Sequence, residues 1–431
     1  MTQPSETPTP AMPAEGPAPQ VITERVREQY ERYPYPAPRR TRQRRFYPLG
    51  AMDYVQHVLW PGRRDLSGLR VLDAGCGTGN TAVTIAKRHP EVEVVGIDLS
   101  ETALDEARAL ARRLRVGSNL TLRRLAIEDA DALDGPFDYI IAAGVLHHLV
   151  DPAAGLRILA NLLTPTGGLG IMVFGTHGRH AVYLVQDLLR RLVGPRELTE
   201  RLAFTRQLLA NWPADHPFQP KRWNDMRWPN DTEIVDLLLH AQDHSYTVPE
   251  LLTLFAGADL RLERFYDPPL YDPRTYVTEP AVVNVMTALP AAEQAAVAEL
   301  LLGRKAKHWF FATRTTYVPA QPEAKGFSLL RLRPKRAPQF DWERAARRRK
   351  QGVDHFTLRE HAFDFQVRTI GLSEWCAVVA DHCDGERTAR EIFELPAVQA
   401  AIPGQTRQAK LLMYGALLER LAEQVVLLFE P

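Results

Sequence analysis

Two carboxylates and two histidines stand at the ends of short apolar runs, where catalytic and binding groups belong. Asp73 opens the turn of "VLDAGCGTGN", which carries Gly75, Gly77 and Gly79 at alternate positions. Asp98 ends "VVGID", and "FDYIIAAGVLHHLVDP" carries Gly144, His147 and His148. Glycine permits positive φ and close backbone approach to a ligand. A helix N-terminus beyond such a turn offers free N–H groups and favours negative charge. A carboxylate there is a poor neighbour for a pyrophosphate, and the G-x-G-x-G spacing departs from the dinucleotide G-x-G-x-x-G. A ligand bearing an ammonium, a sulfonium and a carboxylate suits Asp73 better. Asp98 lies at about the separation from the loop expected of an acid that accepts from two ribose hydroxyls. Leu99 can then lie against an adenine face, and a backbone N–H of "LAIEDA" (125–130) can read a ring nitrogen.

Such residues need a sheet to position them. Between Arg70 and about Arg314, the apolar runs "RVLDAG", "EVVGID", "LTLRRLAI", "FDYIIAAG" and "LGIMVFG" alternate with helical stretches at 80–89, 100–115 and 152–163. This rhythm signals an α/β fold, a doubly wound parallel sheet with helices on both faces. "TPTGG" reads as a turn between helix and strand. "LRLERF" and "KHWFFATR" supply further strands. A helical, Trp-containing insertion at 176–246 interrupts the pattern. Before the sheet, 1–20 reads as a disordered tail and 21–30 as a short helix stopped by "YPYPAP". After the 21–318 domain, a Pro- and charge-rich linker is expected at 319–353, then a small domain at 354–431.

The motifs "VLDAGCGTGN", "GIDLS", "FDYIIAAGVLHHLVDP" and "TPTGGLGIMVFG" resemble, in order and spacing, those of the class I S-adenosylmethionine-dependent methyltransferases. The likeness covers about 70–175 and, more loosely, extends to about 314. It implies a Rossmann-like seven-stranded sheet and S-adenosyl-L-methionine as cofactor. It also implies that Asp73, Gly75, Gly77 and Gly79 hold the methionine part, Asp98 the ribose, and Leu99 and Ile127 the adenine. Ala126 departs from the family pattern, where an acid or serine accepts from the adenine amino group. That contact is either missing or supplied by Glu128 or Asp129. Relatives also fold an N-terminal helix over the cofactor, which brings Tyr30, Tyr33 and Tyr35 near the sulfonium, either as cation-binding faces or as packing. The C-terminal lines "WCAVVADHCDGERTAREIF" and "LLERLAEQVVLLFE" weakly resemble small winged-helix domains of the PqqD type, with either a peptide-presenting or a capping role.

Methyl transfer from a sulfonium is an in-line displacement, for which a protein chiefly supplies alignment. A base is needed only for a nucleophile with a high pKa. His147 and His148 stand where the methyl should point, with His148 ahead; each is either that base or an organiser of the loop. His177, Arg179 and His180 follow the fifth strand on the same edge. His240 and His244, at i,i+4 beside Asp243 and Tyr246, are read as a capped helix end, and no metal is expected. Trp212, Trp223 and Trp228 either line the acceptor pocket or pack a lid.

The 431 residues carry a net charge of +1, so no global field argues for nucleic acid or membrane. The basic runs Arg39–Arg45, followed by Phe46 and Tyr47, and Arg344–Lys350 are read as solvated surface. Cys76, Cys376 and Cys383 are the only cysteines, and the last two are expected roughly 10 Å apart on one helix, too far for a disulfide. No apolar run approaches the roughly 20 residues of a membrane span, and the N-terminus lacks a signal-peptide pattern. The expectation is a cytoplasmic methyltransferase acting on an O, N or C nucleophile of a small molecule. Peptide, protein or RNA acceptors, a non-catalytic cofactor-binding module and a dehydrogenase are the alternatives.

Overall fold

The structure is a computed structural model; it describes residues 19–36, 48–61, 65–219, 230–318, 326–337, 340, 342–350, 356–359, 369–423 and 427–430. Most of the expected tail, the Arg39–Arg45 run with Phe46 and Tyr47, and Trp223 and Trp228 lie outside these residues.

Two helices come first: α1 (Pro19–Arg32) and α2 (Met52–Leu59). The alternating region then folds as β1 (Arg70–Ala74), α3 (Asn80–Arg88), β2 (Glu93–Asp98), α4 (Glu101–Leu114), β3 (Leu120–Arg124), β4 (Phe137–Ala143), α5 (Pro152–Asn161) and β5 (Leu163–Phe174). The insertion contributes α6 (Thr176–Val193), α7 (Leu198–Ala210) and α8 (Asp231–Leu238). α9 (Val248–Ala256), β6 (Leu260–Phe265), α10 (Pro280–Thr287), α11 (Ala291–Leu302) and β7 (Lys307–Arg314) complete the sheet region.

Seven strands form one sheet in the order β3-β2-β1-β4-β5-β7-β6. The first five run parallel, while β7 runs antiparallel to β5 and β6 and is inserted between them. Because Phe174 pairs with Lys307, the start of β7 lies on the same edge as the carboxyl ends of the parallel strands. Alternation along each strand divides the core. Val71, Tyr139 and Ile141 face one apolar layer with Tyr54, Leu59 and Ile85; Leu72, Ala74, Ile140 and Ala142 face the other with Leu156, Leu159 and Phe255. Local chemistry sets the helix starts. Ser100 caps α4 by accepting from Ala103 N, Asp151 caps α5 with Pro152 behind it, and Thr247 and Glu250 form a capping box on α9.

"TPTGG" is not a turn: β5 starts at Leu163 and runs through it. Side chains reach in to hold this stretch as strand, Trp60 Nε1 donating to Thr166 O and Arg314 to Leu163 O. A register shift opposite Phe137 and Tyr139 absorbs the extra residues.

The stretch expected as a linker carries structure among its described residues. β8 (Arg333–Arg336) and α12 (Trp342–Lys350) fall within it, and β8 pairs antiparallel with the C-terminal β11 (Leu427–Glu430). Between them lie β9 (Phe356–Arg359), β10 (Thr369–Leu372), α13 (Glu374–Asp381), α14 (Ala389–Phe393), α15 (Pro396–Ala401) and α16 (Arg407–Glu423). Leu330, Phe340, Cys376, Tyr414 and Leu428 join the apolar layer that contains Tyr54 and Phe311, so this region shares a core with the sheet. Cys76, Cys376 and Cys383 are buried free thiols.

Candidate functional site

The glycine turn has the backbone it was expected to need. Gly75, Gly77 and Gly79 have φ of 75°, 52° and 78°, a region that side-chain-bearing residues avoid. Gly75 and Cys76 N–H both donate to Ile97 O at 2.8 and 2.9 Å, which fixes the turn against β2. A Cβ on Gly75 would stand 2.7 Å from Val145 Cγ2, and one on Gly77 would stand 2.5 Å from the Tyr35 carbonyl oxygen. Gly79 serves packing instead: its Cβ would meet Ala107 of α4 at 2.5 Å, and it does not line the cavity described below.

Asp73 is 3% exposed, and one carboxylate oxygen accepts from Ala82 N at 3.0 Å. Burial pushes its carboxyl up to about 7, the Ala82 N–H opposes this, and the nearby Asp98 adds to it. Asp98 accepts from Gly77 N at 2.8 Å and Ser100 N at 2.9 Å, and burial raises its carboxyl too. Each Asp98 oxygen thus takes one backbone N–H and keeps lone-pair capacity for a ligand hydroxyl.

α1 roofs this edge. Glu31 accepts from Glu101 N and Thr102 N at 2.9 and 3.1 Å, capping α4, while Ser100 Oγ donates to Tyr30 O at 3.2 Å. Thr78 Oγ1 donates to Pro36 O. Tyr30 reaches the insertion, its hydroxyl donating to Asp236 Oδ1 at 3.1 Å.

The two adjacent histidines part company. Leu146–His148 is a single 3₁₀ turn, and the two rings stay in edge-to-face contact with centroids 4.3 Å apart, yet their surroundings differ. His147 is fully buried, its ring packed on Phe174 at 3.7 Å between centroids, and neither ring nitrogen has a hydrogen-bond partner among the described residues. It does not line the cavity, and burial drives its pKa well below the usual value. His148 lines the cavity. Its Nδ1 lies 2.8 Å from the Gln242 carbonyl, which can only accept, so Nδ1 carries the proton and Nε2 keeps its lone pair. Burial lowers its pKa to about 4, against the pull of Asp243.

His240 stacks on His148 with centroids 3.7 Å apart. It is not a helical partner of His244, because α8 ends at Leu238 and the following loop turns His244 onto Gln242 Nε2 at 2.6 Å. Gln242 N–H donates to His240 Nδ1, leaving the ring proton on Nε2, 3.0 Å from the Tyr30 hydroxyl. Burial lowers the His240 pKa well below the usual value. His148, Asp236 and His240 do bring one ligand atom each within 4.8 Å of one another. His240 and Tyr30 form a donor chain ending on Asp236, whose carboxyl burial raises to about 6, and His148 joins them by stacking on His240.

These elements enclose a cavity of about 300 Å³ lined by Tyr30, Tyr35, Asp73, Gly75, Gly77, Asp98, Leu99, Ile127, Glu128, Gly144 and His148. Leu125, Met172, Lys307 and Trp309 complete much of its wall. Glu128 lines it while Asp129 does not, and Glu128 Oε2 has no hydrogen-bond partner among the described residues. The arrangement accepts a cation beside Asp73, a vicinal diol at Asp98 and a planar amine donor at Glu128. Arg179 is a core residue instead, paired with Asp243 at 2.8 Å and stacked over Phe174; His177 and His180 line no part of the cavity. Trp212 donates to Phe218 O inside the cluster of the insertion, which is packing. Sequence reasoning missed Asp236, Lys307 and Trp309. The signal for Lys307 was a cation heading an otherwise apolar strand.

A doubly wound sheet with an acid-bearing glycine turn and a second acid one strand away defines a nucleoside-binding fold of the methyltransferase type. Residues 65–199 match the methyltransferase domain family. An uncharacterised protein from a Synechococcus strain is 30% identical over 269 residues, 59% of this chain and 63% of that protein. The tRNA 5-carboxymethoxyuridine methyltransferase of Escherichia coli K12 is 38% identical over 26% of this chain and 42% of its own length. The ubiquinone biosynthesis O-methyltransferase of Neisseria meningitidis serogroup C is 33% identical over 31% of this chain and 54% of its own length. This chain thus spans less than two thirds of each relative. The solved structure of PKMT2 from Rickettsia typhi in complex with AdoHcy superposes with a TM-score of 0.61 at 14% identity, covering 89% of this chain and 76% of that one, a likeness of fold. Residues 65–199 thus form a methyltransferase domain, and the family match with the motifs and the fold supports the class I S-adenosylmethionine-dependent type. Among the described residues no helix is long and apolar enough to cross a membrane.

Proposed function

We propose that the protein transfers the methyl group of S-adenosylmethionine to an O, N or C nucleophile of a small molecule. The cofactor supplies an already activated methyl. Asp73 holds its ammonium, Asp98 its ribose hydroxyls and Glu128 its adenine amine, with Leu99 and Ile127 flanking the ring. The glycine turn leaves room for close approach, and α1 excludes water from above.

The observation that carries the acceptor side is the Gln242 carbonyl on His148 Nδ1. It leaves Nε2 of a cavity-lining ring as a proton acceptor. With burial lowering its pKa to about 4, His148 is neutral through the physiological range, so Nε2 is open to take the proton of a nucleophile that still carries one, such as a phenol.

The test is a labelled-methyl assay against fractionated small-molecule, peptide and RNA pools. His148→Gln is expected to keep S-adenosylhomocysteine affinity and lower turnover about 10²- to 10⁴-fold. Unchanged turnover of the identified acceptor would reduce His148 to a loop organiser.

A further inference from the structure

Two lysines lead into β7, and they are treated differently. Lys305 is buried and stands 3.7 Å from the Asp267 carboxylate. Lys307 is half-buried and lines the cavity, and its ammonium takes part in no ion pair or hydrogen bond among the described residues. Its field reaches Asp236 and His147, but Asp236 is already bonded by the Tyr30 hydroxyl. The ammonium thus faces the cavity with no direct partner among the described residues, in reach of an anionic ligand.

Its place decides which ligand. The cofactor carboxylates stand at the ends of β1 and β2, and Lys307 stands on β7, three and four strands away. At the usual strand spacing that is roughly 14 and 19 Å. An ammonium also repels a sulfonium, so it belongs on the far side of the transferred methyl. Trp309 and Met172, paired across β7 and β5, give the same end of the cavity an apolar wall.

We propose that Lys307 binds an anionic oxygen group, a carboxylate or phosphate, of the methyl acceptor, while Trp309 and Met172 cover its apolar body. The acceptor class is thus a small amphipathic acid. This rests on the methyl-transfer reading and deepens it: Lys307 sets specificity, and His148 meets the nucleophile.

The experiment uses the full chain loaded with S-adenosylhomocysteine and titrates benzoate, phenyl phosphate and benzamide by calorimetry. At least one anion is expected to bind ten or more times tighter than isosteric, neutral benzamide, and benzoate against phenyl phosphate tells carboxylate from phosphate. Lys307→Met should erase that preference with S-adenosylhomocysteine affinity within threefold of wild type, and Lys307→Arg should restore it. Equal binding of anion and amide, or no binding of either anion, would overturn the proposal. A tenfold loss of S-adenosylhomocysteine affinity in Lys307→Met would overturn it too, by assigning the lysine to the donor carboxylate. Failure of the wild-type chain to bind S-adenosylhomocysteine at all would remove the methyl-transfer reading and the proposal with it.

Discussion

Among the carboxylates of the cavity region, Asp73 is lifted furthest by burial. Lifting its carboxyl from 3.8 to about 7 corresponds to roughly 4 kcal/mol between the ionised and protonated forms. Below about pH 4 folded and unfolded chains both hold the proton, and the residue costs nothing. Between 4 and 7 the unfolded chain ionises while the folded one does not, so stability falls through that window. Above 7 the whole penalty stands. Asp73→Asn removes it. The asparagine oxygen can still accept from Ala82 N, but its amide N–H₂ then lies buried, a loss of about 1–3 kcal/mol if unsatisfied. At pH 8 the ligand-free variant should therefore be more stable than wild type by roughly 1–3 kcal/mol, or about 2–6 °C in Tm at some 2 °C per kcal/mol for a domain of this size. Near pH 5 the advantage should vanish or reverse.

The ligand inverts the comparison. A cation bound beside Asp73 favours the carboxylate, so wild-type affinity for S-adenosylhomocysteine should climb up to tenfold per pH unit below about 7 and then level off. The Asp73→Asn variant should bind about 10- to 150-fold more weakly at pH 8, the loss of one charged hydrogen bond at about 1.5–3 kcal/mol, with little pH dependence. Thermal melts with and without ligand from pH 5 to 8, with calorimetry at both ends, read both effects. A variant with the wild-type melting profile, or with unchanged affinity at pH 8, would refute the placement of the cation.

Asp98→Ala should weaken S-adenosylhomocysteine by about 10²- to 10⁴-fold, two charged hydrogen bonds at about 1.5–3 kcal/mol each; affinity within threefold of wild type by calorimetry would exclude Asp98 from the ribose site. Gly77→Ala should destabilise the turn by about 1–2 kcal/mol through its left-handed backbone alone. It should also displace the Tyr35 carbonyl that its Cβ would meet, seen as faster amide exchange in α1; protection equal to wild type would show that α1 docks independently of the turn.

The sheet was legible because the inner parallel strands are near-continuous apolar runs buried on both faces, while β3, at the sheet edge, alternates apolar and polar residues; each of the five quoted runs became a strand. The turn was legible because few residues other than glycine accept its φ angles. What failed shares a cause: contacts distant in sequence. The i,i+4 spacing of His240 and His244 has meaning only on a helix, and α8 stops at Leu238. Adjacent His147 and His148 have rings in contact, and only the fold shows that His148 reaches the cavity while His147 packs flat on Phe174. "TPTGG" has turn composition, yet pairing of Leu163 and Gly168 at its two ends and the Trp60 donor to Thr166 O keep it in the strand. The Pro-rich 319–353 stretch has linker composition, but β8 within it finds β11 near the other end of the C-terminal region.

The roof and the ribose site are built on one helix end, which makes them a single device. Asp98 holds Gly77 N and Ser100 N; Ser100 caps α4 and donates to Tyr30 O; Glu31 takes the next two backbone N–H groups of α4. The negative charge of Glu31 sits where the helix dipole favours it, so α1 is anchored by the backbone of the element that follows the ribose acid. From that anchor Tyr30 passes over the cavity to Asp236 and His240, beside His148. A cofactor seated at Asp98 therefore lies beneath a helix tied at one end to its own site and at the other to the acceptor side. Under the proposed function, loosening either tie should open both the cofactor side and His148 to water, because Tyr30 contacts both.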